Sequence, residues 1–254
     1  PDFEPFPCAT FHDTMAAVRD GVAELAMVAV ENSIYGRVAD VHSLLPESGL
    51  HIVAEAFVRV HVNLLGLPGS TLEQIKEAHG HPVILPQCST FLRNHGIRGM
   101  ASSDNARAAR EIAERGDPTH AALASEMAAQ IYGLQVLAPQ IEDRPDNTTR
   151  FLIMARQPDL TRRGDHGMMT SFLFRVRNIP AALYKAMGGF ATNGVNMVKL
   201  ESYMVNGSFT ATQFFAEIEG HPEDANVKLA LDELGYFTDY LNVLGTYPAD
   251  PARR

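Results

Sequence analysis

The chain has 254 residues, 46% of them hydrophobic and 20% charged, which is enough apolar material for one large or two ordinary domains and excludes wholesale disorder. Thirty acidic residues against 21 basic ones give a net charge of −9, which argues against nucleic acid or an anionic membrane as the main partner. No apolar run approaches membrane-spanning length. Two cysteines, Cys8 and Cys88, make neither a disulfide framework nor a zinc site, so a reducing, cytoplasmic setting is expected. The chain opens on Pro1 without a charged-then-apolar leader pattern, and an N-terminal segment is expected to be missing from it.

In chain order, Asp13–Arg19 has a helical pattern and Ala23–Val30 (AELAMVAV) is a candidate buried strand. The stretch Leu50–Leu65 holds one or two more strands, and Pro82–Leu85, Ala121–Ala124 and Arg150–Met154 are shorter runs of the same kind. Between them Leu72–Ala78, Ser89–Asn94, Asn105–Arg115 and Glu126–Tyr132 are helix candidates. Strands alternating with helices predict an α/β region with a largely parallel sheet. Residues 156–168, RQPDLTRRGDHGM, lack an apolar period and have the composition of a linker. After it, Phe172, Phe174 and Val176 alternate with polar positions as in a half-buried strand. Leu183, Met187 and Phe190 stripe a helix ended by Asn193–Gly194, and Val195–Val205 and Phe209–Ile218 are strands joined by an Asn206–Gly207 hairpin turn. Val227, Leu231 and Leu234 stripe a second helix stopped by Gly235, and Tyr240–Leu244 is a last strand. That order, βαββαβ, is the ferredoxin-like arrangement. The expected boundaries are 1–156 for the first region, 157–168 for the linker and 169–254 for the second domain.

Chemistry is concentrated at strand ends. Glu31-Asn32-Ser33, followed by Gly36, comes directly after Val30, where a strand's carboxyl end meets ligands in α/β folds; the same residues also build ordinary helix caps and turns. At the start of another strand stands Asn147-Thr148-Thr149-Arg150-Phe151. Arg150 is suited to gripping a carboxylate, and a threonine hydroxyl to donating to a developing oxyanion; alternatively Arg150 pairs with Asp143 or Glu142 in a plain turn. Gln87-Cys88-Ser89 opens a helix whose backbone N–H groups face an anion, while Cys88 has no His or Asn at a nucleophile's spacing. His79 and His81 have no third ligand at a recognisable spacing, so no metal is assigned, and no glycine pattern cradles a nucleotide.

Taken together, the segments VENSIYGRV (30–38), HP (81–82), QC (87–88), AALAS (121–125), YGL (132–134), IED…NTTRF (141–151) and NIPAALYKAMGGFATNGVNMVKLES (178–202) resemble the prephenate dehydratase family, whose monofunctional members carry a C-terminal ACT domain. The resemblance implies two periplasmic-binding-protein-like lobes with the active site in their cleft, conversion of prephenate to phenylpyruvate, water and CO2, and no cofactor. It implies that Thr149 donates to the departing hydroxyl, that Arg150 holds a carboxylate, that Asn32, Ser33 and Gln87 position the rest, that Glu31 orients its neighbours and that Phe151 packs behind the site. It further implies L-phenylalanine as an effector near Asn178, Ala182, Leu183, Glu201 and Ser202, between ACT domains of a homodimer or homotetramer. Several positions depart from the family: its G-P-x-G-[ST] opening loop has no counterpart, Gly80 stands where Ser is usual, Asn105 where Thr is, and Ala181 where Gly is. A sensor that has lost catalysis, and a dehydratase acting on arogenate, are the alternatives these departures raise.

Overall fold

The computed structural model describes residues 3–161, 163–177, 179–204 and 211–253. The chain divides into two compact units, one made of residues 1–58 with 149–254 and the other of residues 59–148.

In the first unit, helix α1 (Phe11–Arg19) begins at Thr10, whose hydroxyl accepts from the Asp13 N–H, and buries Met15 and Val18. It packs on strand β1 (Ala26–Asn32), where Ala26, Val28 and Val30 point inward at period two. Strand β2 (Gly36–Arg37), helix α2 (Ala39–Leu44), β3 (His51–Arg59) and β9 (Thr148–Ala155) complete a sheet of order β2-β1-β9-β3. Strand β1 runs antiparallel to both β2 and β9, so the expected parallel sheet is not what forms here. The reason is the excursion of residues 59–148 into a unit of their own, from which β9 re-enters in the opposite sense. Gly36 has φ +77 and nothing near its absent side chain, so it serves the β1–β2 turn rather than a close approach.

The same unit holds β10 (Met168–Val176), α6 (Ala182–Thr192), β11 (Met197–Met204), β12 (Ala211–Glu219), α7 (Ala225–Phe237) and β13 (Thr238–Pro248). Their antiparallel sheet has the order β11-β12-β10-β13, a ferredoxin-like domain with both helices on one face. The Asn206–Gly207 turn and Asn178 lie outside the described residues. Helix α7 continues past Gly235 to Phe237. Strand β10 is buried on both faces, not half-buried as its pattern suggests. Phe172, Phe174 and Val176 face the helices, whereas Met169 and Leu173 join Phe215, Leu244 and Tyr247 in a core shared with β1, β3 and β9. At about 1.5–3 kcal/mol per buried side chain, these five are ample to hold the two sheets together. Gly245 permits the closest approach: a Cβ there would lie 2.0 Å from the Ile52 carbonyl oxygen.

The second unit is a sheet of order β6-β5-β7-β4-β8, built from β4 (Asn63–Gly66), β5 (Glu77–Gly80), β6 (Arg98–Ala101), β7 (His120–Ala124) and β8 (Gln135–Ala138). Strand β5 is parallel to β6 and β7, and β4 is antiparallel to β7 and β8. Helices α3 (Ser89–Asn94), α4 (Asn105–Arg115) and α5 (Glu126–Tyr132) connect them. Two expectations change place here. The predicted helix Leu72–Ala78 is one 3-10 turn closed by a Thr71/Gln74 capping box and followed by β5, while Pro82–Leu85 is a turn, because Pro82 and Pro86 lack ladder donors. Gly80 and Asn105 are neighbours: a Cβ on Gly80 would sit 3.5 Å from Asn105 Oδ1, which accepts from the His81 N–H at 2.8 Å.

Candidate active site

The register of β1 against β9 pairs Asn32 with Thr149 and Glu31 with Arg150, with a bulge between Ala29 and Glu31. Two polar pairs therefore lie side by side where apolar strands end. Asn32 Nδ2 donates to Thr149 Oγ1 at 3.1 Å, and Asn32 Oδ1 accepts from the N–H groups of Ile34 and Tyr35 at 3.0 and 3.1 Å. The amide is thereby locked with its NH2 toward Thr149. Accepting that bond leaves the half-buried threonine hydroxyl polarised to donate its own proton. Ser33 is exposed at the same turn, and Phe151 is half-buried one position beyond Arg150.

Arg150 Nε donates to Glu55 at 2.9 Å, Nη1 to Glu31 and Glu217 at 2.8 Å each, and Nη2 to Glu217 at 2.7 Å and Tyr247 Oη at 3.1 Å. All five guanidinium N–H groups are used. The side chain is buried and the carboxylates it meets are the chain's own, with neither Glu142 nor Asp143 among them. Glu142 instead accepts from the Val62 N–H and meets His61, while Asp143 caps α3 through Ser89 and Thr90. That helix end already has its anion.

The cluster continues outward. Arg253 pairs with Glu55, Lys199 with Glu31 and Glu201, and Arg37 with Glu201 at 3.2 Å, so Arg150, Arg253, Lys199 and Arg37 face Glu31, Glu55, Glu201 and Glu217. Burial opposes the Glu31 carboxylate, but Lys199 and then Arg150 outweigh it and hold its pKa below the usual range. At Glu55, burial is likewise outweighed, there by Arg253 and the Arg150 charge. Burial pushes the Tyr247 hydroxyl up, the Glu217 charge adding to it, so it stays a donor to Ser171 or Glu217. Beside these, His42 donates Nε2–H to the Val30 carbonyl at 3.3 Å and accepts from Tyr203 Oη at 2.7 Å through Nδ1; burial keeps it neutral. None of Glu55, Glu217, Lys199 or Arg253 was picked out from sequence.

In the second unit Gln87 is buried, with its Oε1 accepting from Asn147 and its Nε2 donating to the Val83 carbonyl at 3.0 Å. Cys88 is buried beside it, and burial pushes its thiol up to about 12, which leaves no thiolate for nucleophilic work. In the ferredoxin-like domain Ala182 and Leu183 pack against the helix-side core. Ser202 pairs across from Phe214 on that side, but Glu201 pairs across from Phe215 on the opposite face. The two side chains therefore do not share a pocket on one face of the sheet.

The prephenate dehydratase family model matches residues 1–159. A bifunctional N-acyl-homoserine lactone acylase/prephenate dehydratase of Komagataeibacter europaeus is 50% identical over all of this chain and 90% of its own length. Arogenate dehydratase/prephenate dehydratase 1 of Arabidopsis thaliana is 36% identical, over all of this chain and 68% of its own. Among solved structures, a protein described as GqqA, a novel type of quorum quenching acylase, has a TM-score of 0.91 at 51% identity, covering 98% of this chain and 90% of that one. Prephenate dehydratase from Arthrobacter aurescens in complex with L-Phe has a TM-score of 0.85 at 31% identity, covering 95% and 80%. Among the described residues no helix is long and apolar enough to cross a membrane. The chain belongs to the prephenate dehydratase family and is a lyase of that kind.

Proposed function

We propose that the chain converts prephenate to phenylpyruvate, with Thr149 as the group that meets the departing hydroxyl. The observation that carries this reading is the Asn32–Thr149 hydrogen bond at 3.1 Å, in which the hydroxyl at the start of β9 accepts and so keeps its own proton to donate. As the C–CO2 bond breaks, its electron pair enters the ring and expels the hydroxyl, the carboxylate carbon leaves as CO2, and the hydroxyl takes a proton to become water. A threonine alkoxide is too basic to form in full, so Thr149 acts by hydrogen-bond stabilisation of the leaving oxygen, the proton coming finally from solvent. Aromaticity of the product drives the step, and no cofactor is called for. Asn32 and Glu31 are positioning residues in this reading; Ser33, Gln87 and Phe151 remain proposed substrate contacts. Arg150 fixes the strand that carries Thr149.

L-Phenylalanine is the proposed effector, with Ala182, Leu183 and Ser202 on the helix side of the ferredoxin-like sheet, with Asn178 and Glu201 as further candidates; the L-Phe complex of the Arthrobacter relative supports this. A homodimer or homotetramer joined through these domains, and a cytoplasmic setting, belong to the same proposal. Two relatives give rival substrates: arogenate, and an N-acyl-homoserine lactone whose amide would be cleaved. The test is product formation from prephenate, arogenate and an N-acyl-homoserine lactone by one preparation. Phenylpyruvate from prephenate supports the proposal. Turnover of only one of the other two, or of none by folded protein, overturns it.

A further inference from the structure

Strands β5 and β7 are parallel neighbours in the second unit, and their register sets Glu77 directly beside His120. Glu77 and His79, two apart on β5, share a face of the sheet. Three ligand atoms converge as a result. His79 Nε2 is 3.0 Å from His120 Nδ1, and Glu77 Oε2 is 3.8 Å from the first and 3.6 Å from the second. The point in their own plane equidistant from the three lies about 2.0 Å from each, the zinc–nitrogen and zinc–oxygen bond length, and drawing the two longer edges in to about 3.3 Å lifts that point out of the plane and gives the tetrahedral arrangement zinc takes.

From this triangle we infer that Glu77, His79 and His120 form a site for a divalent transition-metal ion of the zinc type, with a fourth position left to water. Two histidines and one carboxylate are a ligand set that zinc accepts, and the remaining partner atoms suit it. Arg98 holds Glu77 Oε1, so Oε2 is the oxygen turned to the imidazoles. Asp117 Oδ2 lies 3.6 Å from His120 Nε2, longer than a hydrogen bond but near enough for its charge to favour a metal-bound imidazole. Burial, followed by the Arg115 charge, keeps His79 in the neutral form that binds metal. The three side chains are 12–20% exposed, sheltered yet reachable by an ion.

One group opposes the site. Arg115 Nη1 lies 3.1 Å from His120 Nδ1, and without an ion the two imidazoles share a hydrogen bond. Arg115 is the exposed last residue of α4, so its side chain has solvent to swing into when an ion enters. Its removal should therefore strengthen binding. No spacing in the sequence announces the set, because His79 and His120 are 41 residues apart and meet only through strand register.

The test uses the full chain without an affinity tag, stripped with chelator, titrated with Co2+ followed by visible absorption and with Zn2+ by calorimetry. The expected result is one ion per chain, a tetrahedral Co2+ spectrum displaced by Zn2+, and a higher melting temperature with Zn2+. Affinity should fall at least about tenfold in His79→Gln and His120→Gln, fall by less in Asp117→Asn, and rise in Arg115→Gln. Circular dichroism of each metal-free variant establishes that it is folded. Absence of saturable one-to-one binding to the parent chain, or binding unchanged in both folded histidine variants, would overturn the inference.

Discussion

Replacing Glu217 by Gln probes the buried cluster where it is densest. Glu217 is fully buried on β12 and accepts the Arg150 fork at 2.8 and 2.7 Å, together with Ser171 at 3.1 Å and Tyr247 at 3.2 Å. Glutamine fits the same space but turns one acceptor oxygen into an NH2 group facing donors. The two hydroxyls can rotate away, but the planar guanidinium cannot. At least one charged N–H then stays buried and unpaired, and removing one partner of a buried pair costs about 3–5 kcal/mol. For a chain of this size that lowers the melting temperature by roughly 6–20 °C. The control is Glu223→Gln, which removes an exposed partner of Arg163 held at 2.6 Å. An exposed pair is worth ~0–1 kcal/mol, so that variant should melt within a few degrees of the parent. Thermal unfolding by circular dichroism measures both. Equal, small shifts in the two variants would refute the claim that Arg150 is structural.

Ala181 caps α6 with φ +60, a left-handed conformation that costs a non-glycine residue about 1–2 kcal/mol, so Ala181→Gly should raise the melting temperature by a few degrees. Unfolding in urea should show stability falling with acid in two stages. His42 and His79 are held neutral in the fold by burial, so the unfolded chain takes up protons first and stability declines from about pH 6.5 downward. The carboxylates of Glu31, Glu55 and Glu201 have lowered folded pKa values, so their contribution is present above about pH 4.3 and lost as the pH falls through those lowered values. A urea midpoint constant from pH 7 to 4 would contradict the first stage. Lys199→Gln, which cuts Glu31 from Glu201, should weaken the effect of L-phenylalanine on turnover while leaving its binding measurable by calorimetry; an unchanged effect would show that coupling takes another route.

Much of this architecture is legible in the sequence because it depends on local pattern. The period-two stripe of β1, the capped helix at Asn105 and the βαββαβ order all express burial on one face. So do the two strand ends that carry Asn32 and Thr149, since each follows or begins an apolar run. The partners of Arg150 are a different matter. Glu55 and Glu217 lie 95 and 67 residues from it, each inside an apolar strand where a lone glutamate looks like solvent-facing surface. Only the stacking of one sheet on the other turns them inward. The same holds for β10, whose second buried face is covered by a sheet that its own alternation does not announce.

The most direct test of the account compares Thr149→Ser and Thr149→Ala with the parent chain in steady-state conversion of prephenate to phenylpyruvate. Serine keeps the hydroxyl in reach of Asn32 and should retain most of kcat. Alanine removes the donor that meets the leaving oxygen and should lower kcat by about 10²–10³-fold with little change in KM, as the loss of a single transition-state hydrogen bond does. Folded Thr149→Ala turning over at the parent's rate would contradict the central claim.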